Sequence, residues 1–202
     1  KKHSGVANVQ EVACACIRNL TCEGHLRKEL LNLSAEVRVL AAMERFPENA
    51  LLQEHACGAL SNIACDEDGA KSVLTLKGVA RLTAVMKKNM EHFGVLAQVN
   101  AAIWNLCAST SGNNIDMGPG VVKLIVAGMK EFTDIIPLLE YGCGALSMLA
   151  RTANNKVAIV EEGGADVVCE AMRSHKAKPG LQKQACAALW SLTANSSVGQ
   201  GA

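Results

Sequence analysis

Three asparagines, Asn19, Asn62 and Asn105, fall 43 residues apart, each one residue after a position that takes a large or polar side chain. A carboxamide offers both a donor and an acceptor, which matches one peptide unit whatever side chain that unit carries. The preceding position reads Arg18, Ser61, Trp104, Ser147 and Trp190 along the chain. Partly exposed Trp and Arg side chains are enriched among binding hot spots, so the chemistry on offer is peptide recognition. Two plainer readings stand beside it. The asparagines could bond within the protein or to water, and each tryptophan could fill a gap between layers. One helical turn outward lie Glu11, Glu54, Ala97, Glu140 and Lys183 on one side, with Cys22, Cys65, Ala108, Arg151 and Ala194 on the other. That surface is mixed in charge and slightly acidic at its start, and Arg151 joins the candidate contacts.

Catalytic and metal chemistry find little to stand on. Histidines 3, 25, 55, 92 and 175 share no repeat position, and none stands at metal-ligand spacing from another. No glycine-rich phosphate loop follows a strand, because no stretch alternates as a strand, and Gly118-Pro119-Gly120 reads as a turn. A Cys–His nucleophile pair is the one enzymatic arrangement left open, and the expectation is a non-enzyme without cofactor, metal or small-molecule substrate. Of nine cysteines, Cys14, Cys57, Cys143 and Cys186 occupy one repeat position, and no CxxC pair exists. An odd count fits free thiols better than a disulfide framework. They read as small buried hydrophobes in a reducing compartment, which points to the cytoplasm. Asn-x-Ser/Thr triplets begin at Asn19, Asn32 and Asn195, the first inside a repeated helix and so a poor glycosylation site.

Composition narrows the partner. A net charge of +1 and a pI near 7.7 give no broad electrostatic case for nucleic acid or acidic lipid. No apolar run approaches the ~18 residues that a membrane span requires. Lys1-Lys2-His3-Ser4-Gly5 has no apolar segment behind it and so does not read as a signal peptide.

The elements that must hold these residues recur. The segment 56–64, Ala-Cys-Gly-Ala-Leu-Ser-Asn-Ile-Ala, has relatives at 13–20, 99–106, 142–149 and 185–192. Its central apolar residue falls at Ile17, Leu60, Ile103, Leu146 and Leu189, always 43 residues on, and Met43, Met86, Met129 and Met172 keep the same step. Within the second copy Ala56, Ala59, Leu60 and Ile63 have the i, i+3, i+4, i+7 spacing of a buried helical stripe. Equivalent columns read Ala13, Cys16, Ile17, Leu20 in the first copy and Val99, Ala102, Ile103, Leu106 in the third. Long helices are expected over about 50–65 and 180–194. Between copies come a short helix (70–77; 155–161), a glycine break (Gly78; Gly163-Gly164) and a second helix ending in the Met column (79–88; 165–174). Three helices per unit follow. In the third unit, 109–114 and 118–120 leave room only for a loop or single turn in place of the first helix. Self-similarity at this period means a stacked helical array, divided as a partial repeat 1–22, full repeats 23–65, 66–108, 109–151 and 152–194, and a tail 195–202. No polar capping helix is evident at either end, which points to an excerpt of a longer array or to self-association through its ends.

With its period, three helices, glycine break and third helix, the chain resembles the armadillo repeat over its whole length. Residues 42–53 (Ala-Met-Glu-Arg-Phe-Pro-Glu-Asn-Ala-Leu-Leu-Gln), and Ala171-Met172 with Leu181-Gln182, are similar to the armadillo segment of leucine-rich-repeat kinases and to many armadillo-only proteins. The resemblance implies an all-α, right-handed α-solenoid whose third helices line a concave groove for extended peptides, with one asparagine per repeat clamping the ligand backbone. Here that column reads Asn19, Asn62, Asn105, Met148 and Ser191. Nuclear-import adaptors place a tryptophan four residues before the asparagine. This chain has Ala15, Gly58, Ala101, Gly144 and Ala187 there, so that cargo class is not implied. A protein-interaction scaffold is the leading expectation, with an assembly segment of a larger polypeptide as the alternative. A membrane-recruited scaffold is the third, though no starting Met-Gly is present for a lipid signal.

Overall fold

The computed structural model describes residues 3–110, 115 and 117–194. The described residues are all-helical, in twelve helices. Five are the recurring segments: α1 (Ala7–Leu20), α4 (Ala50–Ile63), α7 (Phe93–Ser109), α9 (Ile136–Leu149) and α12 (Pro179–Thr193). They pack in chain order, α1 on α4, α4 on α7, α7 on α9 and α9 on α12. Between them lie α2 (Gly24–Asn32), α3 (Ala35–Arg45), α5 (Glu67–Thr75), α6 (Gly78–Lys88), α8 (Pro119–Glu131), α10 (Ala153–Glu161) and α11 (Gly164–Ser174). No described helix is long and apolar enough to cross a membrane.

The stripes close where a helix has neighbours on both sides. Ala56, Ala59, Leu60 and Ile63 are fully buried, as are Val99, Leu106, Leu146 and Leu149. Met43, Met86 and Met129 are buried with them, and Met172 is half-buried. The first copy departs from expectation: Ala13, Cys16 and Leu20 are exposed. Among the long helices α1 packs on α4 alone, and no other described long helix lies against it. Burial of the shared cysteine position shows the same end effect, with Cys14, Cys57 and Cys143 buried and Cys186 exposed on α12. Cys16, Cys22 and Cys65 are exposed as well, so the reading of the cysteines as uniformly buried holds for only part of the set.

Turn chemistry also corrects the expected breaks. The left-handed residue before α6 is Lys77 (φ 58°) rather than Gly78, and Ser34 (φ 55°) and Gly163 (φ 73°) hold the matching positions before α3 and α11. Gly78 is already helical and buried, and a Cβ there would meet the Val73 carbonyl oxygen at 2.7 Å. Close packing, not backbone freedom, calls for glycine at that position. In the third unit Gly118 (φ 75°) takes the left-handed role, while Pro119 and Gly120 open α8 instead of forming a turn. That unit shows two helices among the described residues, and the loop expected over 109–114 lies mostly outside them. The Asn195 triplet and the tail 195–202 lie outside them too.

Two glutamines pin the loops that deliver the long helices. Gln53 donates from Nε2 to the carbonyls of Met43 (2.9 Å) and Phe46 (3.0 Å), and Gln182 does the same to Met172 (2.9 Å) and His175 (3.1 Å). Asn49 caps α4, its side chain accepting from the Leu52 N–H at 2.9 Å.

Candidate functional site

The polar stripe lies opposite the core columns of the long helices, and the register that buries Leu60 brings Asn62 to the half-exposed side. Asn62 donates from Nδ2 to the Arg18 carbonyl at 2.8 Å and to Cys22 Sγ at 3.4 Å. Asn105 donates to the Ser61 carbonyl at 3.0 Å, with Ser61 Oγ at 3.1 Å and Cys65 Sγ at 3.3 Å. Each amide group therefore ties its helix to the last turn of the long helix before it, where carbonyls lack intrahelical donors. Of the alternatives open from sequence, bonding within the array describes the NH2 groups. The Oδ1 atoms accept no hydrogen bond from another described residue. Asn19, on the first long helix, is exposed and its side chain bonds no other described residue.

The position before the asparagine reaches the other way, onto the next layer. Arg18 lies over Gly58, where an added Cβ would stand 2.6 Å from Nε and 2.8 Å from Cδ. Its Nη1 is 3.8 Å from Glu54 Oε1 and 3.5 Å from His55 Nδ1. Trp104 lies over Gly144 in the same way: a Cβ would come within 2.6 Å of Cδ2, 2.8 Å of Cε3 and 2.9 Å of Cε2. Tyr141 stands beside it, ring centroids 6.4 Å apart and planes at 43°. Trp104 is half-buried and Trp190, on the last long helix, is 73% exposed. Both residues thus keep ring surface toward solvent. Ser147 and Ser191 approach each other across α9 and α12 at 3.5 Å.

The acidic column has its own partner, missed by the sequence reading. Glu11 accepts from Asn49 Nδ2 at 3.1 Å, at the start of α4. Glu54 lies against Gly94 in the first turn of α7, and Glu140 against Gly180 in the first turn of α12. Negative charge is favoured at a helix N-terminus, so these carboxylates suit where they lie. The signal was present in the spacing: Gly58, Gly94, Gly144 and Gly180 each follow their covering residue by 40 positions. A column read only as lacking tryptophan was in part a column of clearances.

Arg151 is exposed at the end of α9, apart from the Trp104 cluster but within electrostatic reach of Cys107. Burial pushes the Cys107 thiol up to about 12 against the opposing pull of Arg151. Burial likewise raises Cys14 to about 11, Cys143 to about 12, and Cys57 further still. Buried thiols of this kind stay protonated and unreactive.

Neither protein-family models nor curated proteins give a match to this chain. Among solved structures it is similar to a crystal structure of an engineered protein, at 16% identity and a TM-score of 0.61, covering 92% of this chain and 91% of that one. That likeness bears on the fold alone.

Proposed function

We propose that the chain is a single armadillo-type array, a right-handed α-solenoid over 1–202, whose concave groove captures an extended or helical segment of a protein partner. The observation that carries this reading is the line of Arg18, Trp104 and Trp190, set in register on stacked helices with aromatic surface left toward solvent. Layers ~8–10 Å apart and a ligand rising ~3.3 Å per residue put about every third ligand residue opposite one layer. The Oδ1 atoms of Asn62 and Asn105, which accept from no other described residue, then accept peptide N–H groups. The protein acts by binding, not catalysis, with a peptide rather than nucleic acid or a small molecule as partner, and in the cytoplasm. The test is a peptide selected on the protein from a random display library. Changing Trp104 and Trp190 together to Ala abolishes its binding while helicity by circular dichroism is kept; unchanged binding rejects the groove.

A second reading rests on α1, where Val9 (44%), Val12 (60%) and Leu20 (44%) are exposed on one helix. An apolar face of this kind suits assembly through the ends of the array. Sedimentation that shows self-association, lost in Val12→Lys, favours it over the groove.

A further inference from the structure

A second period, twice the first, runs through the groove. Arg18, Trp104 and Trp190 are 86 residues apart, and the same step relates Glu54 to Glu140, His55 to Tyr141, Gly58 to Gly144, and Gly94 to Gly180. Successive layers therefore alternate, and two layers make one unit of the binding surface.

In the first unit the arrangement is complete. The Arg18 guanidinium lies over Gly58 and faces the Glu54 carboxylate and His55 ring at 3.8 and 3.5 Å. In the second unit the frame is repeated: Trp104 over Gly144, Tyr141 in the place of His55, and the Glu140 carboxylate over Gly180 as Glu54 is over Gly94. What is missing is the cation. Glu140 is half-buried and has no ion pair or hydrogen bond with another described residue.

We propose that Trp104, Tyr141 and Glu140 receive one cationic side chain, an arginine of a peptide ligand, which supplies from outside the charge that Arg18 supplies from within. A guanidinium is planar and weakly hydrated, so it stacks on an aromatic face while bonding a carboxylate. Tryptophan is the best ring for such a contact. Partial burial limits screening of the Glu140 charge. The neighbourhood also sets a limit: Lys183 follows Glu140 in the outward column, and Arg151 is exposed at the end of the same helix. The ligand is therefore a single basic residue, not a polybasic run. This proposal deepens the groove reading and rests on it.

The test uses the whole chain and the tripeptide acetyl-Gly-Arg-Gly-amide, with citrulline in place of arginine as the neutral isostere. The Trp104 indole N–H resonance is followed on titration and assigned against Trp190→Phe. The arginine peptide moves it saturably, and the citrulline peptide binds at least tenfold more weakly. Glu140→Gln brings arginine down to the citrulline level with helicity unchanged. Trp104→Arg, which gives Glu140 its own cation, no longer binds the probe, as read from the ring resonances of Tyr141. Equal response to citrulline, no response up to the solubility of the probe, or unchanged binding in Glu140→Gln overturns the proposal. Selected peptides that need Trp104 and Trp190 yet carry no basic residue would sink this inference and leave the groove standing. A tripeptide that binds at Trp104 while no longer peptide follows the groove would do the reverse.

Discussion

Trp104 of α7 lies across Gly144 of α9, so close that one added carbon would stand 2.6 Å from the indole. Two residues 40 apart in sequence therefore fix each other, and the placement of the Trp104 ring depends on a hydrogen atom one layer away. Gly144→Ala forces the ring off its support and costs about 1–3 kcal/mol by overpacking, with a shift in Trp104 fluorescence. Gly120→Ala is the control. It is helical with nothing within 4 Å of the added carbon, and the change stabilises by about 0.5–1 kcal/mol. Urea unfolding measures both.

Asn62 and Asn105 join consecutive long helices, while Asn19 joins none. Asn62→Ala and Asn105→Ala remove the cross-layer donor from the Arg18 and Ser61 carbonyls, which keep Thr21 Oγ1 with Cys22 Sγ and Cys65 Sγ respectively, and each cost about 0.5–1.5 kcal/mol. Asn19→Ala stays within about 0.5 kcal/mol of the parent, as exposed changes do. Three equal results in denaturant would mean that the asparagines do not bind layer to layer.

Leu60 and Leu146 occupy the same column at full burial, on helices with a layer to either side. Leu60→Ala and Leu146→Ala each cost about 2–5 kcal/mol, transfer and cavity together. Leu20→Ala, in the column of Ile63, Leu106 and Leu149 but 44% exposed on the first long helix, costs well under half of that. A calorimetric series of the three measures the difference.

These contrasts show what periodicity can tell. It identified the stripe of α4 because Ala56, Ala59, Leu60 and Ile63 repeat at helical spacing, and the same spacing recurs in every copy. It could not say that Ala13, Cys16 and Leu20 would be exposed, since burial depends on whether a neighbouring layer exists and not on the helix's own residues. The cluster of Trp104, Gly144 and Tyr141 was half visible. The tryptophan stood out by its type, but Gly144 looked like an empty position, because a clearance has meaning only once the side chain filling it is known. Lys77 in place of Gly78 at the left-handed turn is a third case: glycine there answers to crowding by Val73, which no local pattern reports.

The thiols give a pH dependence with a definite sign. Burial raises Cys14 to about 11 and Cys107 and Cys143 to about 12 from an ordinary 9.0, so in this range the folded chain holds protons that the unfolded chain gives up. Their contribution to stability is complete below pH 9 and is lost as pH rises from 9 through 12. Unfolding midpoints therefore fall across that window, and less steeply in Cys143→Ala than in the parent once each is referred to its own pH 8 value. At pH 7.5 a maleimide labels Cys16, Cys22, Cys65 and Cys186 in the folded chain and reaches Cys14, Cys57, Cys107 and Cys143 only in denaturant, as mass spectrometry resolves.

The most direct measurement is a side-chain NMR footprint of a display-selected peptide on the whole chain. Binding in the groove moves the indole signals of Trp104 and Trp190 and the carboxamide signals of Asn62 and Asn105 together, and leaves the methyls of Val9 and Val12 on α1 still. Movement confined to those α1 methyls, with both indoles unchanged, would contradict the account and hand the surface to assembly.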